Sequence, residues 1–145
     1  MCYVHIGHDS VVKNHTILVN NTALAGHVVV DDWVILSGYT LVHQFCQIGA
    51  HSFSGMGTAI GKDVPAYVTV SGSPAEARTI NSEGLRRRGF SDGTLADLRR
   101  AFKLVYRQGL TLDVAIERLE EMAVETPEIE PLLESLKSSE RGIVR

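Results

Sequence analysis

Residues 5–65 decide the fold: HIGHDSVVKNHTILVNNTALAGHVVVDDWVILSGYTLVHQFCQIGAHSFSGMGTAIGKDVP. Every sixth residue from Ile6 is aliphatic in nine of ten cases. The ten positions are Ile6, Val12, Leu18, Leu24, Val30, Leu36, Val42, Ile48, Ser54 and Ile60. Four residues after each, from Ser10 to Val64, the side chain is small or β-branched. A six-residue period fits neither an α-helix nor a half-buried sheet, and it predicts a parallel β-helix with the aliphatic side chains inside.

The repeat resembles the hexapeptide family, in which each unit forms one flat face of a triangular left-handed coil. Three units then make one turn of about 18 residues, so residues that far apart stack above one another. Residues 6–65 supply about three and a third such coils. Because the chain begins inside the repeat without a capping segment, we expect further coils before Met1.

The composition changes near residue 75. Residues 1–75 hold six charged side chains, and the other 25 of the 31 follow them. We therefore predict a mainly β chain with an α appendage: a left-handed β-helix over residues 1–75 and a C-terminal α-helical domain over residues 76–145.

Cap signals divide the second half into helices. A short helix is predicted at 80–88. Ser91 caps the next one, in which Leu95, Leu98, Ala101, Phe102 and Val105 recur at helical spacing before Gly109. Thr111 is predicted to open another helix, and Thr126 with Pro127 the last.

Bulk properties exclude several classes of function. A net charge of −3 and a pI near 6.0 make nucleic acid a poor partner. Cys2 and Cys46 give neither a disulfide framework nor a thiolate metal site. No segment approaches the roughly 20 apolar residues of a membrane span, so we predict a cytoplasmic protein without stable membrane insertion.

Stacking at 18-residue spacing places His8 over Gly26 and Gln44, and Asp9 over His27. An imidazole would then lie beside a backbone N–H that no side chain blocks. A base next to an oxyanion donor is what acyl transfer requires, and a carboxylate can orient the imidazole. The column argument therefore makes His8, Asp9 and Gly26 the candidate catalytic group.

Other readings of the histidines remain open. His15 and His51 share a column with Trp33 and are interpreted as a surface stack without chemistry. A metal site is the sharper competitor, with His5, His8, His27 and His43 as ligands, although no metal-binding spacing such as HExxH is present. Our prediction is that there is no metal. Ser10 occupies the small repeat position, where packing explains it better than nucleophilic catalysis.

Five strings carry a more specific resemblance. They are HIGHDS at 5–10, NNTALAGHV at 20–28, LVHQFCQIGAH at 41–51, DVPAYV at 63–68 and EGLRRRGF at 83–90. Together with the ending RGIVR they resemble the C-terminal part of the UDP-N-acetylglucosamine O-acyltransferase family of lipid A synthesis.

The resemblance implies roles for several residues. His8 would be the general base, oriented by Asp9, with the Gly26 amide on the oxyanion. The positions that match substrate contacts of the family on the coil are His5, His27, His43 and Gln44. The positions that match a helical segment reaching the nucleotide from a neighbouring subunit are Asn81, Glu83, Arg87 and Arg88. Met56 matches a position that limits acyl chain length, with Met implying a 3-hydroxyacyl group near ten carbons.

The function implied by the resemblance is transfer of a 3-hydroxyacyl group from acyl carrier protein to the 3-hydroxyl of UDP-N-acetylglucosamine. The implied partners are these two substrates and the other copies of a homotrimer, and no cofactor is expected. Alternatives are the sibling N-acyltransferase, another hexapeptide acyl- or acetyltransferase, and an inactive truncated β-helix scaffold.

Overall fold

The computed structural model describes all 145 residues and confirms the predicted coil of parallel strands. Ten two-residue strands recur every six residues: β1 His5–Ile6, β2 Val11–Val12, β3 Ile17–Leu18, β4 Ala23–Leu24, β5 Val29–Val30, β6 Ile35–Leu36, β7 Leu41–Val42, β8 Gln47–Ile48, β9 Phe53–Ser54 and β10 Ala59–Ile60. Two longer strands follow, β11 Val68–Ser71 and β12 Glu76–Ile80.

The strands form three sheets, which are the faces of a left-handed prism. Face A contains β1, β4, β7 and β10, face B contains β2, β5 and β8, and face C contains β3, β6, β9, β11 and β12. His5 pairs with Ala23 and Ala23 with Leu41, so the predicted 18-residue stacking is confirmed.

Tight turns form the corners of the prism. Corner AB comprises residues 7–10, 25–28 and 43–46, corner BC residues 13–16, 31–34 and 49–52, and corner CA residues 19–22, 37–40 and 55–58. The third residue of each turn is left-handed, as in Asp9, His27 and Phe45, with φ values of 58°, 59° and 67°. A type II turn requires this conformation at its third position.

The interior is filled as the repeat predicts. Leu24, Val30, Leu36 and Ile48 are at most 1% exposed. The small or β-branched residues that end the corners from Thr22 to Thr58 are also buried. Ile6 is 49% exposed, because the first coil has a neighbouring coil on one side only. Close packing of these side chains makes each coil depend on the next.

The last coil is two residues shorter than the repeat predicts. Val64 bridges to Ile48 and Thr69 pairs with Phe53, a spacing of 16 rather than 18. The expectation that Val64 continues the small-residue position was therefore wrong, since it takes a strand position beside Ile48.

Four helices follow the coil: α1 Ser82–Arg87, α2 Asp92–Tyr106, α3 Leu112–Glu125 and α4 Glu130–Ser138. Ser91 and Thr111 accept hydrogen bonds from the amides of Thr94 and Val114, which confirms both predicted caps. The five predicted apolar residues of α2 are all buried. None of the helices is long and apolar enough to cross a bilayer.

Two helix predictions were wrong in detail. Ile80 ends β12 rather than beginning a helix, and Asn81 caps α1 by accepting from the Gly84 amide. Thr126 caps nothing, because its hydroxyl donates to Asp97 at 2.8 Å, and a short 3₁₀ turn at Pro127–Ile129 precedes α4.

The C-terminal tail closes onto the coil at Asp63, whose side chain is almost fully buried. The Asp63 carboxylate accepts from the Gln47 amide at 2.8 Å and from the Ser139 hydroxyl at 2.7 Å. The Asp63 backbone amide donates a hydrogen bond to the Gly142 carbonyl, and the Val144 amide donates to the Asp63 carbonyl. The coil and the helices share one hydrophobic core. Strand β12 begins at Glu76 and still belongs to face C, so this sheet continues past residue 75. The domain division at residue 75 stays a prediction.

Candidate active site at corner AB

Corner AB holds His8 and Asp9 side by side. Asp9 adopts the left-handed conformation that the turn requires, which Asp tolerates better than most residues. The turn directs both side chains away from the interior, so that the side chains are 76% and 67% exposed. His8 therefore points into solvent, where a substrate can reach it.

The Asp9 carboxylate links two imidazoles. His8 Nδ1 lies 3.0 Å from Asp9 Oδ2, and His27 Nε2 lies 3.7 Å from the same oxygen. The hydrogen bond with His8, followed by the nearby charge of His27, holds the pKa of Asp9 below its usual value. An anionic Asp9 favours the tautomer with the proton on His8 Nδ1, which leaves Nε2 free to accept one.

Gly26 lies directly beside the His8 ring. A Cβ added at Gly26 would lie 2.7 Å from His8 Nε2, so only glycine leaves room for the imidazole here. The Gly26 amide is the second residue of its turn and donates to no acceptor within the protein. Gly26, with its free N–H, therefore lies beside the ring whose Nε2 can act as the base.

Phe45 supports this group and was missed in the sequence analysis. Its ring stacks on His27 with centroids 4.8 Å apart and an interplanar angle of 9°. The Phe45 amide also donates to the Gly26 carbonyl at 3.1 Å. The 18-residue column from Asp9 through His27 contains Phe45, and following it one step further would have found the residue.

The other predicted coil residues lie around the same corner. His5 is exposed on face A, and Gln44 is exposed one coil above Gly26. His43 Nδ1 lies 3.0 Å from the Gln44 carbonyl oxygen. His43 also borders a groove of 470 Å³ on face A, which Leu41, Val42, Ala59, Ile60, Gly61, Ser73 and Pro74 line with it.

The predicted residues of α1 lie elsewhere in the same chain. Asn81 is 9% exposed, and its amide donates to the His51 carbonyl at 3.0 Å, so it anchors α1 to the coil. Glu83 and Arg87 form an exposed ion pair of 3.2 Å. These three residues border a groove of 410 Å³ on face C. The structure does not bring them to His8 within one chain.

Arg88 is tied to corner BC. Its Nη1 lies 2.9 Å from His51 Nδ1, and its guanidinium lies 5.2 Å from the centre of the Trp33 ring. His15, Trp33 and His51 stack in one column, as predicted. Burial, together with the Arg88 charge, lowers the pKa of His51 to about 4, so this imidazole is neutral near pH 7.

Met56 lies at corner CA, on the opposite edge of face A from His8, and is 81% exposed. Beneath it, Gly38 accepts a hydrogen bond from the Gly57 amide. Asn20, Gly38 and Met56 stand 18 residues apart, so the residues that precede Met56 in its column are small or polar.

The contacts at this corner also bear on two competing interpretations, Ser10 as a nucleophile and a four-histidine metal site. The Ser10 hydroxyl donates to the Ala25 carbonyl and accepts from the Val28 amide, so its role is to join two coils. His5 and His43 do not join the His8, Asp9 and His27 group, which has donor atoms within 4.8 Å of one another.

A coil of six-residue repeats with an exposed His–Asp pair beside a free amide defines the class, a hexapeptide-repeat protein with a site suited to acyl transfer. Comparisons with known proteins identify the family within this class. The family described as Udp N-acetylglucosamine O-acyltransferase, domain 2, matches residues 63–144. The chain belongs to the UDP-N-acetylglucosamine O-acyltransferase family.

Individual relatives agree along the whole chain. The UDP-N-acetylglucosamine O-acyltransferase of Pseudomonas entomophila (strain L48) is 70% identical over 145 residues, which are 56% of its length. The Francisella novicida UDP-N-acetylglucosamine acyltransferase structure has a TM-score of 0.97 and 44% identity, covering 100% of this chain and 53% of its own. The Moraxella catarrhalis UDP-N-acetylglucosamine O-acyltransferase has a TM-score of 0.96 and 44% identity, covering 98% and 55%. The chain thus spans about half the length of the relatives it matches.

Proposed function

We propose that this chain carries the catalytic corner of an acyltransferase that moves a 3-hydroxyacyl group from acyl carrier protein to the 3-hydroxyl of UDP-N-acetylglucosamine, the first step of lipid A synthesis. The full name of the Pseudomonas entomophila relative, acyl-[acyl-carrier-protein]–UDP-N-acetylglucosamine O-acyltransferase, supports the donor carrier and the acceptor. The 3-hydroxyacyl group, the 3-hydroxyl and the pathway step rest on the family resemblance. The geometry of corner AB supports the reaction type. The composition favours a cytoplasmic enzyme that neither inserts stably into membranes nor binds nucleic acid.

The observation that carries the proposal is the position of His8 Nε2 beside Gly26, with Asp9 on the opposite nitrogen of the ring. A base must reach the hydroxyl proton while a donor faces the carbonyl oxygen on which negative charge develops. Both groups are present at one exposed point, where two large substrates can meet.

The chemistry proceeds by direct transfer. His8 Nε2 removes the proton from the sugar 3-hydroxyl, and the oxygen attacks the thioester carbonyl. The Gly26 amide stabilises the oxyanion of the tetrahedral intermediate, and Asp9 stabilises the imidazolium. The intermediate then expels the thiolate of the carrier, which takes the proton from His8. No cofactor is required, because the thioester is already activated.

Substrate binding is assigned to residues around the corner and to α1 of a neighbouring subunit. On the coil we assign His5, His27, His43 and Gln44. From the neighbour we assign Asn81, Glu83, Arg87 and Arg88, where a guanidinium can pair with the diphosphate. A homotrimer supplies this arrangement, since α1 lies on face C and the base at corner AB.

Met56 is proposed as the residue that limits acyl chain length. Its side chain is almost fully exposed at the edge of face A, so it can fill space that a longer acyl chain would need. The family resemblance implies that Met at this position selects a short 3-hydroxyacyl group, near ten carbons.

The test is an acyl-transfer assay on the longest product of the reading frame that encodes these residues. UDP-N-acetylglucosamine and 3-hydroxyacyl carrier protein are the substrates, and amine acceptors and coenzyme A thioesters serve as alternatives. The amine acceptors matter because the sibling N-acyltransferase is an alternative with the same repeat.

His8→Ala is expected to lower kcat by about 10²- to 10⁴-fold while nucleotide binding persists, because the base is lost and the coil is not. A loss below about tenfold would contradict the role of His8 as the base. Transfer to an amine instead of the hydroxyl would favour the N-acyltransferase. Absence of saturable UDP-sugar binding would favour an inactive scaffold.

A further inference from the structure

The one group of metal-ligating side chains in the molecule coincides with the proposed catalytic corner. It consists of the Asp9 carboxylate and one ring nitrogen each from His8 and His27, all within 4.8 Å of one another. We propose that these three residues form an inhibitory site for a borderline transition-metal cation such as Zn²⁺ or Co²⁺. The cation is an antagonist of the site and not a cofactor.

The separations suit a small tetrahedral cation. Bonds of about 2.0–2.2 Å to nitrogen and oxygen place neighbouring ligand atoms about 3.3 Å apart. The two measured separations from Asp9 Oδ2 are 3.0 Å to His8 Nδ1 and 3.7 Å to His27 Nε2, on either side of that value. The third pair, the His8 and His27 ring nitrogens, lies within 4.8 Å, so rotation of these exposed side chains brings all three donor atoms onto one ion.

The donor set decides the class of cation. Two imidazole nitrogens and one carboxylate oxygen favour Zn²⁺, Co²⁺ and Ni²⁺, whereas Mg²⁺ and Ca²⁺ prefer oxygen ligands. Three protein ligands leave at least one position for water, as in open zinc sites.

The backbone holds the ligands in place before a cation arrives. The His27 amide donates to the His8 carbonyl at 2.9 Å, which fixes the two turns relative to each other. The Phe45 ring stacks on His27 and restricts its rotation. All three ligands remain accessible, because the His27 side chain is 43% exposed and the other two are more exposed.

A bound cation would prevent base catalysis. A metal on His8 Nδ1 displaces the proton that this nitrogen shares with Asp9, and the neutral ring then carries its proton on Nε2. An Nε2–H can donate but cannot accept the proton of a sugar hydroxyl. This consequence for turnover rests on the proposed function, whereas cation binding does not.

The binding test uses isothermal titration calorimetry of the chain with ZnCl₂, and optical absorption with CoCl₂ to report the ligand field. A Cys2→Ser background removes the exposed thiol, which could otherwise bind Zn²⁺. We expect one Zn²⁺ per chain, and no binding of MgCl₂ at the same concentration.

The decisive variant is His27→Asn, with His15→Asn as its matched control. Both histidines occupy left-handed turn positions, with φ values of 59° and 58°, which Asn tolerates. His27→Asn is expected to weaken Zn²⁺ binding by roughly tenfold or more, and His15→Asn to leave it unchanged. Equal affinity in the two variants, or no binding by the parent, would overturn the proposal.

The activity test adds Zn²⁺ to the transfer assay and then removes it with a chelator. Reversible inhibition supports the block on His8 if His27→Asn, compared with its own metal-free rate, needs a higher Zn²⁺ concentration for the same fractional loss. If Zn²⁺ binds as expected and no acceptor is acylated in its absence, the binding site stands and the proposed function fails. Binding without any inhibition of an active enzyme would refute the inhibitory role.

Discussion

At the scale of single residues, the missing side chain of Gly26 matters as much as the imidazole of His8. A Cβ there would lie 2.7 Å from His8 Nε2 and 2.8 Å from Cε1. Gly26→Ala is therefore expected to push the ring aside and lower kcat by about 10²-fold, through loss of a positioned base. Steady-state kinetics with urea unfolding tests this, since Gly26 has no left-handed backbone and the fold should persist.

Gly93→Ala is the control, because a Cβ at Gly93 meets only Ser91 Oγ at 3.9 Å, an ordinary contact on α2. Normal turnover in Gly26→Ala would show that the ring need not lie where the structure has it. Loss of folding in Gly26→Ala but not in Gly93→Ala would instead assign Gly26 to the coil's stability.

Met56 gives the second prediction at this scale. Met56→Gly removes a flexible side chain of which 81% is exposed, so stability should change little while space opens at the edge of face A. The variant is expected to accept 3-hydroxyacyl chains longer than the parent prefers. Competition between carriers loaded with chains of two lengths measures the ratio of kcat/KM values, and an unchanged ratio would exclude Met56 as the limit.

At the scale of elements, the corners place bulky residues where glycine or asparagine is usual. His15, Trp33 and His51 all have φ near 60°. A left-handed residue costs roughly 1–2 kcal/mol. Stacking along the column offsets part of this cost, because each ring packs on the next from His15 to Tyr67.

This column predicts a loss of stability in mild acid. The folded pKa of His51 is about 4, below its ordinary value of 6.5, because burial and Arg88 oppose its charge. As the pH falls through 6.5, the unfolded chain takes up a proton that the folded chain refuses. Above about pH 6.5 His51 is neutral in both states and the free energy of unfolding keeps its full value. As the pH falls from 6.5 to 4, the unequal protonation lowers the free energy of unfolding.

His51→Phe keeps a ring in the column and removes the titrating group. We expect its free energy of unfolding to fall less than that of the parent between pH 7 and pH 5, as measured by urea titration at both values. Equal falls in the two proteins would mean that other groups cause the acid sensitivity.

Much of the coil could be predicted because the sequence pattern that specifies it is local. A six-residue period fixes which side chains point inwards, and the 18-residue turn then placed His8 over Gly26 and Asp9 over His27. The shortened last coil could not be predicted, because it depends on Asp63 binding the C-terminal tail, a contact between distant segments. Thr126 was misread for a similar reason, since its hydroxyl bonds to Asp97 of another helix.

At the scale of the whole molecule, the proposed site residues lie on different sides of the prism. His8, Asp9 and Gly26 share corner AB, whereas Glu83 and Arg87 lie on face C. The six-residue period alone does not show this separation, whereas the family resemblance implied it by assigning α1 to a neighbouring subunit. A single chain therefore offers the base and the proposed nucleotide ligands to different surfaces, and the proposed function requires a second copy to bring the two sets together.

This separation predicts complementation between two defective subunits. His8→Ala lacks the base and Arg87→Ala lacks a diphosphate ligand, and each alone should be poorly active. In a trimer assembled at random from equal amounts, every mixed trimer contains one site with both residues intact, which amounts to about a quarter of all sites. The unfractionated product of co-expression should therefore recover about a quarter of the parent's activity, averaged over all sites.

The matched control pairs His8→Ala with Gly26→Ala. Both residues belong to corner AB of the same chain, so no mixed trimer can contain a site with both intact, and activity should stay low. Purifying mixed trimers through two different tags, one on each subunit, raises the expected recovery to about a third, because one of the three sites in each mixed trimer has both residues intact. If the His8 and Arg87 pair is no more active than the control pair, the base and the arginine do not act across a subunit boundary.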